Sequence, residues 1–435
     1  MNKSHFLACK CDLCIMNFKC DLFIYSFMND FIETRLFVKD EFVISSNDGK
    51  HFLLSLNLLS LGVSVGSRDV YLDDDSNVQS SALYHPYSKL KTSFTNVAFK
   101  IFHEGSVRPH VLIKCSPAKI LQGHNVFGSD DIASGFFEML GYLAEANPTL
   151  YEILDIQSAE ILNIDVTYSA RLKNDDQVLK VIDFLKKVSS GSLRKSKLSF
   201  AESVYWGSEN SKRLSRKAYC KAIEFFDQLK TLKKQAERGD LSAIRVVKIM
   251  EDQRLIEFMT GLLRLETRFK ALWLYEHNIP TNVFELIKYQ EDNPNFLQEI
   301  WELANRPLFD ALEGHSMKAL DHDTVFSKIC TVFDTYTKSG RLSQTKSRNI
   351  FNFFCALEIH GASTLKTKYG KSQYYNYMSQ LTECGFSKAY LQNLDSESKN
   401  NVIPFVQLVK IDFQNQLPHW YEEPVSRFAH NLKAS

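Results

Sequence analysis

Tyr219 stands between Lys217 and Lys221 in the stretch RKAYCKAIE, and Glu224 follows five positions on. Two other stretches offer polar groups from one side. In NIDVTYSARL, Ile164, Val166, Tyr168 and Ala170 alternate with Asp165, Thr167, Ser169 and Arg171. In GLLRLETRFK, Leu263, Leu265 and Phe269 alternate with Arg264, Glu266, Arg268 and Lys270. A period of two puts each polar set on one face of a strand. If the three strands lie in one sheet with these faces together, two carboxylates, a phenol and several cations meet. Asp165 and Glu266, with water and phosphate oxygens, would then suit Mg2+, with Mn2+ as a substitute, to polarise a phosphodiester. A free phenol is a poor nucleophile at neutral pH, and nearby cations or a metal favour the phenolate. Lys217 and Lys221 would activate Tyr219 and hold the phosphate it attacks. The plainer readings are a packed strand tyrosine and carboxylates that are solvated or ion-paired.

Other polar residues fall around this set. His124, between Gly123 and Asn125, reads as a hydrogen bonder that organises a loop, with Asn125 and Glu224 as further organisers of the site. Lys186, Lys187, Arg194, Lys195 and Lys197 form a basic cluster, either a solvated face or a set of salt-dependent phosphate contacts. No GxxxxGK[ST] phosphate loop, His-hydrophobic-His pair, GxSxG elbow or HExxH motif occurs, which argues against ATP hydrolysis and several hydrolase chemistries.

The elements that must carry these residues can be read along the chain. Its 435 residues, 44% of them hydrophobic, can bury a large core, and 52 basic against 51 acidic residues leave any nucleic-acid role to local patches. The nine cysteines are mostly scattered, as in a reducing cytosol, except for Cys9, Cys11, Cys14 and Cys20 at the head, a weak zinc signal. Neither a signal peptide nor a membrane span is expected; the longest apolar stretch, at 51–66, is too short. Short strands separated by turn clusters are expected from Phe37 to about Ile113, including a hairpin around Gly105. Ser129 or Asp130 is positioned to cap the helix IASGFFEMLGYLAEA, which Asn147-Pro148 ends. DQVLKVIDFLKKV predicts a helix, VYWGS and RKAYCKAI two strands, and residues 224–259 a helical region broken at Gly239-Asp240. The pattern predicts an α+β fold with a central antiparallel sheet, flanking helices and a mainly helical C-terminal domain.

SPAKILQGHNVFG (116–128), IDVTYSAR (164–171), KAYCK (217–221), LLRLETRFK (262–270) and the tail segment NNVIPFVQLVKIDFQNQLPHWYEEPV closely resemble the gene II replication-initiator family of filamentous phages. The resemblance runs in the same order from about residue 50 to residue 427. It implies a site- and strand-specific endonuclease that nicks double-stranded phage origin DNA and later rejoins the strand, starting and finishing rolling-circle replication. Tyr219 falls in the motif that carries the DNA-linking tyrosine. Because a phosphotyrosine keeps the bond energy, resealing needs no ATP, which agrees with the missing phosphate loop. The resemblance implies host helicase and DNA polymerase as partners, self-association at the origin, no membrane, and the host cytoplasm as location. The alternative is a non-enzymatic origin-binding protein.

The expected divisions are a non-matching head (1–36), an N-terminal α+β region (37–150), a catalytic nicking core (151–316) and a helical C-terminal domain (317–435). Translation starting at Met28 would leave the cysteine-rich head untranslated. By resemblance, a restart at Met317 would make the last division a separate shorter product. Within it, RNIFNFFCALEIHG and GKSQYYNYMSQLTECG read as two helices joined by ASTLKTKY. Lys366, Lys368 and Lys371 at that junction are candidate DNA contacts, with Tyr374, Tyr375 and Tyr377 nearby. The plainer reading there is a helical packing domain with those rings in its core.

Overall fold

The computed structural model describes residues 27–63, 70–72, 78–80, 87–188, 193, 196, 200–208, 211–312, 322–337, 339–395 and 416–428. The cysteine-rich head and Met317 lie outside them. Eight strands build the main sheet: β1 (Met28–Val38), β2 (Ser88–Lys91), β3 (Asn96–Phe102), β4 (His110–Cys115), β5 (Leu154–Arg171), β6 (Ser203–Trp206), β7 (Leu214–Cys220) and β8 (Leu262–Lys270). Their order is β6-β7-β8-β5-β1-β4-β3-β2, and every neighbouring pair is antiparallel. The fold is α+β, as the strand and helix patterns anticipate.

Residues 28–36 correct the expectation of a separate head. They belong to β1, which sits in the middle of the sheet between β5 and β4. Ile32, Thr34, Leu36 and Val38 are buried on one face, while Phe31, Glu33, Arg35 and Phe37 are half-buried on the other. Register shifts along the β1–β5 pairing, the first of them at Asp30, interrupt the regular alternation.

The apolar face of the sheet is covered by helices. The contacts of α1 (Pro117–Gln122) and α2 (Ile132–Ala146) include β1, and α3 (Asp175–Lys187) packs on β6 and β7. Asp131, rather than Ser129 or Asp130, caps α2 by accepting from the backbone N–H groups of Ala133 and Ser134; the Ser129 hydroxyl accepts from Asp131 N instead. α4 (Lys221–Glu237) begins immediately after β7, so only the first part of RKAYCKAI is strand. Gly239 at φ +84° and the cap Asp240 separate α4 from α5 (Leu241–Met250), at the expected break. α6 (Gln253–Met259) leads into β8, and α7 (Val283–Asp292) and α8 (Phe296–Leu312) follow. Trp301 of α8 packs on Tyr168 of β5. One hydrophobic cluster thus runs through residues 37–150 and 151–316 alike.

A second cluster holds the C-terminal helices α9 (His322–Phe333), α10 (Thr345–Lys368) and α11 (Lys371–Glu383) together through Ile329, Phe353, Phe354, Leu357 and Leu381. ASTLKTKY does not form the expected link. It is the last part of α10, which kinks at Gly361 (φ +76°) and continues. Tyr374 is buried against Phe353 and Tyr377 stacks on the same ring, whereas Tyr375 is exposed.

Because Leu36 is fully buried in the central strand, Leu36→Ala is expected to destabilise the protein by about 2–5 kcal/mol in denaturant unfolding.

Candidate active site

β7, β8 and β5 lie side by side, and their register brings the polar sets together. Tyr219 is opposite Arg264, Lys217 opposite Glu266, Thr167 opposite Glu266, and Asp165 opposite Arg268. Tyr219 Oη donates to Glu266 Oε2 at 3.3 Å, and Lys217 Nζ donates to the same oxygen at 3.2 Å. The Lys217 ammonium also lies over the Tyr219 ring, 4.1 Å from its centroid. The phenol is 5% exposed. Burial, then the Glu266 carboxylate, push its pKa well above the ordinary tyrosine range, against the pull of Arg264. The resting site therefore holds a protonated phenol, the opposite of a phenolate preformed by two lysines. For Lys217, burial works downward, but Glu266 outweighs it and raises the ammonium's pKa.

Lys221 turns away from this row. As the first residue of α4 it is 1% exposed and bonds Asn125 Oδ1 at 2.9 Å and the Glu224 carboxylate. Burial brings its pKa down to about 8 even though Glu224 opposes the shift. Burial would raise Glu224, but Lys221 and Lys119 hold it down to about 2. Asn125 also donates to Asp30 Oδ1 at 2.8 Å, which joins Asp30, Asn125, Lys221 and Glu224 in one hydrogen-bonded chain. His124 belongs to the same loop. Burial, followed by the fields of Lys221 and Arg264, lowers its pKa to about 3, which leaves a neutral ring whose Nδ1 accepts from Val126 N at 3.3 Å.

Arg264, expected among the DNA contacts, is 1% exposed. Its guanidinium donates to the carbonyls of Asn125 (2.6 Å) and Val126 and to Ser169 Oγ (3.2 Å), so it braces the loop and does not face DNA. Asp165 receives two hydrogen bonds from Arg268, at 2.7 and 2.6 Å. Burial lifts its carboxyl to about 7 against those bonds. Among the described residues no three of His, Cys, Asp and Glu converge on a metal position. Both carboxylates carry cationic partners here, Asp165 from Arg268 and Glu266 from Lys217, whereas Mg2+ is commonly held by one or two carboxylates completed by water and substrate phosphate.

Of the basic cluster, Lys186 bonds Asp183 (2.9 Å) and the Ala201 carbonyl, and Lys187 bonds Asp395 (3.2 Å). Arg194, Lys195 and Lys197 lie outside the described residues. Lys366, Lys368 and Lys371 are exposed where α10 meets α11, with Lys366 5.7 Å from the Tyr375 ring.

The sequence reading missed three participants. Asp30 lay in the stretch set aside as a head. Thr167 and Arg268 stood in the alternating patterns without an assigned role. The Thr167 hydroxyl is buried opposite Glu266 with no hydrogen-bond partner among the described residues.

The sheet and this face define an α+β chain with a tyrosine set among carboxylates and cations. Residues 28–293 match the N-terminal family of the phage replication-associated proteins encoded by gene II, and residues 336–427 match the corresponding C-terminal family. The chain is 34% identical to the gene II replication-associated protein of Enterobacteria phage M13 over 92% of its own length and 100% of that protein. It is 32% identical to that of Salmonella phage IKe over 92% of this chain and 97% of the other. This chain belongs to the gene II family of filamentous-phage replication-associated proteins. No solved structure matches it. Among the described residues, no helix is long and apolar enough to cross a membrane.

His124 generates a pH prediction. Its folded pKa lies below its unfolded value, so its contribution to stability is complete above about pH 6.5 and is lost as pH falls towards 3. Replacing it with Asn, which cannot titrate, is expected to flatten the stability slope in that window by up to about 1.4 kcal/mol per pH unit. Urea unfolding at several pH values, variant against parent, checks it.

Proposed function

We propose that this chain nicks one strand of double-stranded phage origin DNA through Tyr219 and rejoins it after a round of rolling-circle synthesis. The observation that carries this reading is the Tyr219 hydroxyl on the Glu266 carboxylate, with Lys217 on the same oxygen. A phenol with a raised pKa needs a base at the moment of attack, and Glu266 is within reach of its proton. Tyr219 Oη attacks the scissile phosphorus as Glu266 takes the phenol proton. The P–O3′ bond breaks, the 3′ oxygen takes a proton from solvent, and the 5′ phosphate remains on Tyr219. The free 3′-hydroxyl then primes the host polymerase. In the reverse step a 3′-hydroxyl attacks the phosphotyrosine and regenerates the phenol, so closure requires no ATP.

Asp165 and Glu266 would hold Mg2+, or Mn2+ in its place, which when bound neutralises charge on the phosphate. Lys217, beside the phenol and less buried than its neighbours, steadies that phosphate. The exposed Lys366, Lys368 and Lys371 give the C-terminal helices a basic edge for origin DNA, with phosphate contacts that weaken as salt rises. The protein works in the host cytoplasm with a host helicase and DNA polymerase, and self-associates at the origin.

The burial of Tyr219 favours a second reading, in which it only packs and the protein binds the origin while a host enzyme cuts. Supercoiled origin DNA incubated with purified protein and Mg2+, then denatured, separates the two. On the first reading Tyr219→Phe abolishes the covalent adduct with binding intact, and Glu266→Gln slows adduct formation by about 10²-fold or more. Undiminished nicking by Tyr219→Phe would leave only the second reading.

A further inference from the structure

Residues 416–428 lie across the main core, and the start of this segment grips groups that also build the Tyr219 site. β1 starts at Met28, opposite Thr167, so the Ser169 backbone of β5 lies just past the end of its neighbour. There the Gln416 side chain does what a strand would: Oε1 accepts from Ser169 N and Nε2 donates to Ser169 O, each at 2.9 Å. The Ser169 hydroxyl in turn receives Arg264 Nε. Four residues on, Trp420 packs edge-to-face on Phe127 at 5.3 Å, with Arg254 over the indole at 5.1 Å, and Tyr421 packs on the same Phe127 ring at 5.5 Å. Phe127 follows Val126, whose carbonyl Arg264 holds. Glu423 accepts from the Ser129 hydroxyl.

The far end is anchored independently. Ser426 Oγ and Arg427 N donate to the buried Glu138 carboxylate at 2.8 and 2.9 Å. Phe428 lies over Gly141 of α2, where any Cβ would overlap the ring. Only glycine at 141 leaves room for this seat.

We infer that residues 416–428 are a positioning strap for the Tyr219 site, acting through Gln416 on Ser169–Arg264 and through Trp420 on the 123–130 loop. Arg264 is directly opposite Tyr219 in the β7–β8 register. A displaced Arg264 or loop therefore alters where the phenol sits. Displacements of about 1 Å by groups remote from the chemistry can cost up to about 10²-fold in rate. The inference rests on the reading of Tyr219 as the attacking group.

The test uses full-length protein and supercoiled origin DNA, and measures the single-turnover rate of adduct formation, DNA affinity and thermal unfolding separately. Gln416→Ala and Trp420→Ala are expected to slow adduct formation about tenfold with affinity changed less than about twofold, and Trp420→Phe, which keeps a ring on Phe127, to recover most of the rate. A parent-like rate in Gln416→Ala and Trp420→Ala overturns the strap. So does a loss of rate that follows equal losses of affinity and folding and is not recovered by Trp420→Phe. Tyr219→Phe, run in parallel, keeps the two ideas apart. An adduct surviving there removes the reading of Tyr219 itself, whereas its loss together with parent-like strap variants removes only the strap.

Discussion

Arg264 is a buried cation with no carboxylate hydrogen-bonded to it among the described residues, and the arrangement of the site depends on how its charge is satisfied. Taking a guanidinium out of water costs several kcal/mol unless its donors are met. Here they are met by two loop carbonyls and a serine hydroxyl. Those acceptors can be supplied only if the 123–130 loop folds over the end of β8. The loop therefore adopts one position, and Asn125 is delivered to Asp30 on one side and Lys221 on the other. A lysine would not reproduce this arrangement, because the guanidinium spreads its donors over a rigid planar fork whereas an ammonium's donors radiate from one nitrogen.

The Tyr219 phenol keeps its proton at rest. Burial pushes up both the phenol of Tyr219 and the carboxyl of Asp165, while Arg268 and Lys217 offset the negative charge of the carboxylates. Such a face is electrically quiet without substrate and responds strongly to an arriving phosphate, since charges in a partly desolvated site are screened less than charges in water. The buried Thr167 hydroxyl beside Glu266, without a partner among the described residues, belongs to the same face.

The patterns that were legible were those in which local chemistry and tertiary environment agree. In the second half of β5, from Asn163 to Arg171, apolar and polar residues alternate without interruption, and in β8 only Thr267 breaks the alternation after Leu263, so the strands and their faces could be read directly, and α2 ends at its Asn147-Pro148 stop. β1 was illegible because it buries Asn29, Asp30 and Thr34, which read as surface positions until the site that uses Asp30 is known. The spacing of Lys217 and Lys221 about Tyr219 suggested one shared face. That inference required the strand to continue, and the helix starts at Lys221, so the two lysines diverge. Long-range partners leave no local trace: nothing near Asp165 in the chain announces Arg268, and nothing near Ser169 announces Gln416.

The central position of β1 also governs how the chain can mature as it leaves the ribosome. This strand emerges among the earliest of the described residues, yet one of its two neighbours, β5, is made far later, and β5 itself needs β8. At ordinary translation speeds the interval is on the order of ten seconds. Until β5 emerges, β1 can be paired by β4 and covered by α1 and α2 on one side of the sheet, but its other strand edge stays unpaired. Pairings this distant in sequence also close slowly. Newly made chains would therefore pass through a stage in which one edge of β1 is open to pairing with another chain, a general route to aggregation.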